Sequence, residues 1–207
     1  MARHFAIIPA CGQSTRMGRP KLLLPLEGKP LVWHALAAWR ASSVASITAV
    51  VRRDDTELAA ALAESGADVV LPSLPPADMK ASVQAALSHI TSRHAPSVDD
   101  SFLVAPADIP RLSPAIVDAL ISRHDEQPGS ILVPTLAGRR GHPVLFPWLL
   151  SEHVFRLQED EGLNSLASRF PPVEVPCDGL VPAGSRPFAD IDTPEQYQAL
   201  GGEYRDE

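Results

Sequence analysis

The chain has 207 residues, 45% of them hydrophobic and 21% charged, enough for one α/β domain with a sizeable buried core and short for two. Asp and Glu outnumber Lys and Arg by 25 to 18, a formal charge of −7, which argues against the broad basic footprint of nucleic-acid binding and confines any phosphate site to a local cluster. The only cysteines, Cys11 and Cys177, lie outside any CxxC or Cys/His cluster, the first apolar run is too short for a signal core, and nothing approaches the roughly 20 apolar residues of a membrane span, so the expectation is a reduced, soluble, cytoplasmic protein.

Short apolar runs bounded by turn residues alternate with amphipathic segments, the pattern of helices packed on a mainly parallel sheet. In chain order the pattern predicts a strand at 5–8, a helix at 31–40, a strand at 47–51, a helix at 56–64 capped by Asp55 and ended by Gly66, and a strand at 69–71. Pro72, Pro75 and Pro76 then punctuate the chain before a helix at 80–90, and residues 93–100 read as a surface loop. A strand at 102–105 leads to a helix at 114–123, with Ser113 as its cap and Pro114 in its first turn. The strand at 131–135 continues into a hairpin through Gly138 and Gly141 to a strand at 144–146. A helix at 163–168, a strand at 173–175, a loop at 182–187 and a helix at 194–200 starting at Thr193-Pro194-Glu195 complete the list. We expect one domain over 1–207, a nucleotide half at about 1–112, an acceptor half at 113–200 and a frayed tail at 201–207.

The most informative stretch is Pro9-Ala10-Cys11-Gly12-Gln13-Ser14-Thr15-Arg16-Met17-Gly18-Arg19-Pro20-Lys21, directly after the first strand. A triphosphate needs backbone N–H groups that can approach closely, which favours Gly12 and Gly18, and fixed cations for the charge on a leaving pyrophosphate, which Arg16 and Lys21 would supply. Neither GxxxxGK[ST] nor GxGxxG fits; the spacing is GxSxRxG followed by PK. A merely solvated surface loop is the alternative, but ligands usually bind at the carboxyl end of such a strand.

This run resembles the signature loop of the nucleotidyltransferases with a Rossmann-like core, close to LAAGxSxRMGxxK in the molybdenum cofactor cytidylyltransferases. The resemblance implies a three-layer α/β fold, nucleotide contacts from Ala10, Cys11, Gly12, Ser14, Arg16, Gly18 and Lys21, and catalytic roles for Arg16, Lys21 and Asp108. Relatives that use GTP carry LAGG and those that use CTP carry LAAG. Cys11 departs from both but is nearer alanine, so the resemblance favours CTP. Without it, Cys11 reads as a small buried hydrophobe.

Asp108, in Pro106-Ala107-Asp108-Ile109-Pro110, sits just past the strand at 102–105, on the same sheet edge as the loop. Magnesium takes one or two carboxylates beside phosphate oxygens and water, so Asp108 is a sufficient first ligand; the competing role of turn former or cap is better filled by Ser113. The late stretch Phe188-Ala189-Asp190-Ile191-Asp192-Thr193-Pro194-Glu195 resembles the DIDTPEDY element of the same family, which implies Asp192 as second ligand, with Asp190 as the alternative. Read alone, both aspartates serve the helix start.

On the acceptor side, Arg139-Arg140-Gly141-His142-Pro143-Val144-Leu145-Phe146 resembles the family's GxxGHPVLF element, which implies acceptor contacts from Arg140, Gly141 and His142, and from Ser82 farther back. Arginine's planar fork suits an anionic acceptor; an isolated His beside Pro is otherwise a structural residue. Two stretches depart from the family. Ser73 to Val83 stands where it has an Asn and Gly-Met-Ser-Ser-Ser, with only Met79, Ser82 and Val83 matching well, and Gly162-Leu163-Asn164 stands where it has Gly-Ala-Arg.

The resemblance implies transfer of CMP from CTP to a phosphorylated small molecule such as molybdopterin, with Mg²⁺ and possible docking to a molybdoenzyme or its chaperone. Other expectations stay open: a sugar acid or isoprenoid precursor as acceptor, a non-catalytic nucleotide-binding module, and an NAD-linked oxidoreductase, which has only Asp54 and Asp55 placed for a ribose.

Overall fold

The computed structural model describes residues 1–14 and 17–204. Arg16 therefore lies outside the described residues. The first strand, β1 (His4–Pro9), carries an unbroken buried run because both its faces are covered. The elements that follow are β2 (Pro25–Leu26), β3 (Lys29–Pro30), α1 (Leu31–Arg40), β4 (Ser46–Val50), α2 (Thr56–Glu64), β5 (Asp68–Val70), α3 (Met79–His94) and β6 (Ser101–Val104). After them come α4 (Pro114–Glu126), β7 (Leu132–Leu136), β8 (Arg139–Arg140), β9 (Val144–Pro147), α5 (Ser151–Phe155), α6 (Asn164–Arg169), β10 (Val173–Pro176) and α7 (Pro194–Ala199).

The central sheet runs β10-β7-β9-β6-β1-β4-β5, with β8 paired to β7. β1 is parallel to both β4 and β6, β4 to β5, and β7 to β10. Within this sheet β9 runs antiparallel to β6 and β7, and β8 antiparallel to β7. Alternation along β1 divides the core into two layers. Phe5 and Ile7 pack with Val83, Leu87 and Ile90 of α3, while Ala6 and Ile8 pack with Leu36 and Trp39 of α1, Leu62 of α2 and Leu120 of α4. The fold is thus a mainly parallel α/β sheet with helices on both faces, as expected.

From β1 the chain passes to β4 and β5 on one side and then to β6 on the other. The connection order reverses at β1, so the carboxyl ends of β1 and β6 flank the crevice where such sheets bind ligands.

Element ends follow local chemistry. Asp55 accepts from the Leu58 amide at 3.3 Å to cap α2, and Gly66, at φ +88°, ends it. Thr193 caps α7 in a reciprocal pair with Gln196, with Pro194 in the first turn. Ser113 departs from expectation: Pro114 holds the first turn of α4, but the serine hydroxyl makes no cap bond, and its carbonyl starts the helix by accepting from Ile116 at 3.1 Å.

α3 extends to His94 and closes at Ala95, at φ +43°, so the expected loop begins later than 93. The two-residue strands β2, β3 and β8 and the five-residue α5 are too short for periodicity to signal them.

Residues 201–204, expected to fray, return to the loop after β1. The Tyr204 hydroxyl donates to the Met17 carbonyl at 2.5 Å, and the Arg19 guanidinium lies 4.9 Å from the Tyr204 ring centroid. Among the described residues, no helix is long and apolar enough to cross a membrane.

Candidate active site

The loop leaving β1 is pinned at both ends. The Ala10 amide donates to the Val50 carbonyl at 2.9 Å, and the Met17 amide donates to the Ser14 carbonyl at 2.9 Å. Ser14 adopts φ +51°, and its hydroxyl accepts from the Lys21 amide at 3.2 Å, closing the loop onto the 3-10 turn Lys21–Leu23. Gly18 needs its glycine, at φ +65°, whereas Gly12 has open space in front of it: a Cβ there meets nothing within 4 Å.

The closed loop delivers the Lys21 side chain to the crevice. Its ammonium donates to Asp108 Oδ2 at 2.6 Å and to Asp192 Oδ1 at 2.8 Å, joining residues 87 and 171 positions away. The Ile191 amide donates to the Asp108 carbonyl at 3.1 Å, which ties the segment before α7 to the loop after β6 and sets Asp192 beside Asp108. Asp190, one residue before this tie, is exposed. Burial opposes charge on Lys21, but the hydrogen bonds and charges of Asp108 and Asp192 outweigh it and raise its pKa above the ordinary value. The other oxygen of Asp108, Oδ1, is buried without a hydrogen-bond partner. It is the kind of acceptor a cation satisfies.

These groups line a cavity of about 420 Å³ walled by Ala10, Cys11, Gly12, Gln13 and Ser14 on one side and by Pro76 to Met79 on the other. Ser82 also lines it. Ser82 is buried, donates to the Asp78 carbonyl at 3.2 Å, and shares this cavity with Cys11, apart from Arg140, Gly141 and His142. Cys11 itself donates to the Val50 carbonyl at 3.3 Å, and burial raises its thiol pKa.

A separate cavity of about 280 Å³ holds the other predicted acceptor residues, Arg140, Gly141 and His142, among Val104, Ile131, Val133, Val144 and Phe146. Met79 lines both cavities, so they adjoin. His142 is held below its ordinary pKa by burial, against the opposing pull of the Val104 carbonyl and the charges of Asp108 and Asp190, and its Nδ1 is buried without a partner. Arg140 is engaged with Glu174 at 2.9 Å. Gly141 has a packing reason for being glycine, because a Cβ there would lie 2.1 Å from the Phe188 ring.

Several wall residues were not singled out from sequence. Asp78 caps α3 by accepting from the Ala81 amide at 2.7 Å, a signal that an N-cap search ahead of the helix would have found. Met79 matches the family's Gly-Met-Ser-Ser-Ser stretch, but its place between two cavities is not a local feature of the sequence. Asp54 and Asp55, which a dinucleotide reading would need, are engaged with Arg52 and as the α2 cap. No group of three or more His, Cys, Asp or Glu side chains with metal-site geometry occurs among the described residues. A magnesium ion does not require one, since substrate oxygens and water complete its shell.

A family described as the MobA-like NTP transferase domain matches residues 6–173. The 2-C-methyl-D-erythritol 4-phosphate cytidylyltransferase of Cupriavidus pinatubonensis is 34% identical over 148 residues, 65% of this chain. The matched span is 57% of that relative, little more than half its length. Rv0371c from Mycobacterium tuberculosis H37Rv superposes with a TM-score of 0.76 at 26% identity, covering 96% of this chain and 97% of that one, and it has also been solved in complex with manganese. Molybdopterin-guanine dinucleotide biosynthesis protein A from Archaeoglobus fulgidus shares the fold, with a TM-score of 0.67 at 20% identity over 95% of this chain and 96% of its own.

Proposed function

The chain belongs to the family of MobA-like NTP transferase domains, and from that premise we propose that it transfers CMP from CTP to the phosphate of molybdopterin, releasing pyrophosphate. The observation that carries this reading is the Lys21 ammonium held between Asp108 and Asp192 at the edge of a cavity walled by the loop after β1.

The acceptor phosphate oxygen attacks the α-phosphorus in line. A new P–O bond forms as the bond to the bridging oxygen of the β-phosphate breaks, and the electron pair leaves with pyrophosphate. A phosphate nucleophile is already ionised near neutrality, so positioning and charge stabilisation suffice without a strong general base. Lys21 offsets charge on the departing pyrophosphate, together with Arg16, and the open backbone at Gly12 lets phosphate oxygens approach the loop amides. Asp108, through its partnerless Oδ1, and Asp192 would hold Mg²⁺. Bound there, the ion would neutralise triphosphate charge and polarise the phosphoryl group.

The base preference for CTP rests on the small side chain of Cys11. Support for the acceptor comes from the second cavity. Its walls are mostly apolar, which suits the flat face of a heterocycle, and Arg140, His142 and Asn164 supply its polar groups. The similarity to an erythritol-phosphate cytidylyltransferase favours the other reading, a cytidylyltransferase for that acceptor.

Pyrophosphate release, measured with CTP, GTP, ATP and UTP against molybdopterin and 2-C-methyl-D-erythritol 4-phosphate, separates the two. CTP with molybdopterin should be fastest. Faster release with the tetritol phosphate would establish the second reading, and no release with any pair would refute both.

A further inference from the structure

Lys80 is a buried cation that the transfer reaction does not use. It is 8% exposed, and its ammonium donates to the carbonyls of Gln158 at 2.5 Å and Glu159 at 3.0 Å; Asp78 lies at 3.9 Å. The chemistry of its own helix does not account for it. Lys80 stands in the first turn of α3, where the helix dipole disfavours a cation and where Asp78 already supplies the cap. A long side chain ordered and desolvated at that position must be held by what it reaches.

It reaches the connection between α5 and α6, at the point where that connection is most tightly organised. The Gln158 carbonyl that accepts from Lys80 also accepts from the Glu161 amide at 3.1 Å, the Glu161 carboxylate accepts from the Gln158 amide at 2.8 Å, and Arg169 of α6 donates to Glu161 at 2.5 Å. Gln84, one turn farther along α3, adds a second crossing by donating to the Val154 carbonyl at 2.9 Å. The connection then runs into Leu163 and Asn164, which line the apolar second cavity. Met79, adjacent to Lys80, lines both cavities.

We propose that Lys80 is a positioning residue that fixes the 157–164 connection as a wall of the second cavity and so couples acceptor binding to the helix that borders the nucleotide compartment. The proposal rests on the reading of the second cavity as the acceptor site. Lys80 itself touches neither cavity's contents and acts through Gln158 and Glu159. The variant Lys80→Met keeps the length of the side chain and removes the donor, while Lys80→Arg keeps donors within reach of the same carbonyls.

The test compares full-length parent, Lys80→Met and Lys80→Arg in steady-state kinetics with CTP, Mg²⁺ and molybdopterin, alongside amide exchange of 157–164. Lys80→Met should raise the KM for molybdopterin at least tenfold, leave the KM for CTP within about twofold and speed exchange across 157–164; Lys80→Arg should recover most of the acceptor KM. A folded Lys80→Met with an unchanged acceptor KM, or with both KM values raised alike, overturns the proposal. If Lys80→Met does not fold, the proposal rests on Lys80→Arg, and parent-like exchange without recovered acceptor KM overturns it. Failure of the functional reading looks different: the parent turns over no acceptor, and unchanged exchange of 157–164 in Lys80→Met then overturns the positioning role.

Discussion

The two cavities meet at Met79 yet are built by opposite means. The first compartment is made of backbone and charge: a loop pinned to β4 through Val50, closed by Ser14 on the Lys21 amide, and ending in an ammonium shared by two carboxylates. The second compartment is made of carbon, with Val104, Ile131, Val133, Val144 and Phe146 around His142, and its one arginine is spent on an exposed pair with Glu174. Charge chemistry needs a few fixed groups at one sheet edge. The second cavity takes Arg140, Gly141, His142, Val144 and Phe146 from one run and the rest of its walls from elements scattered along the chain.

The largest expected effect breaks the first compartment at its charges. Lys21→Ala or Asp108→Ala should lower CTP turnover by roughly 10²–10³-fold, the usual loss when one preorganised electrostatic group is removed, while circular dichroism and cooperative melting remain those of the folded parent. A variant with parent-like pyrophosphate release would remove that residue from the mechanism.

Next in size, Gly12→Ala adds a methyl group where the protein offers open space. Melting should be unchanged, and CTP affinity by calorimetry should fall by roughly tenfold, equivalent to about 1.4 kcal/mol. Gly141→Ala should do the reverse. Its Cβ would strike the Phe188 ring, so stability should fall by about 1–3 kcal/mol, read as a lower melting temperature. A parent-stable Gly141→Ala would contradict that packing role.

The smallest effect lies far from both cavities, at the opposite end of β1. His4 is held below the ordinary value of 6.5 chiefly by burial, against the pull of Asp125 at 3.4 Å, and its Nδ1 lies 2.8 Å from the Ser101 hydroxyl. A lowered histidine contributes stability that is complete above 6.5 and is lost as the pH falls through the folded value. Melting temperature measured from pH 8 down to 5 should therefore decline on the acid side, and less so in His4→Gln. Equal declines in the two proteins would clear His4 of that role.

The first compartment was legible because its residues are contiguous or recur as short motifs: Gly12, Ser14 and Lys21 in one loop, and Asp108 and Asp192 each beside a strand end or helix start. The sheet and most helices were legible for the same reason, since period and punctuation are local. Sequence says nothing of which cavity a helix face borders, and α3 brings Ser82 to Cys11, apart from Arg140 and His142. The Ser113 hydroxyl was read as a cap where the fold uses only its carbonyl. Tyr204 was invisible because its partner is Met17, 187 residues away. The stretches that depart from the family pattern, 73–83 and 161–165, meet in space near Lys80 and the Glu161 network, a pairing that no single segment reveals.

The most direct test titrates CTP with Mg²⁺ into the parent, Asp192→Asn and Asp190→Asn by calorimetry, since it needs no acceptor. The account predicts that Asp192→Asn loses the magnesium-dependent part of the affinity while Asp190→Asn binds like the parent. Parent-like binding by Asp192→Asn, or a loss confined to Asp190→Asn, would contradict it.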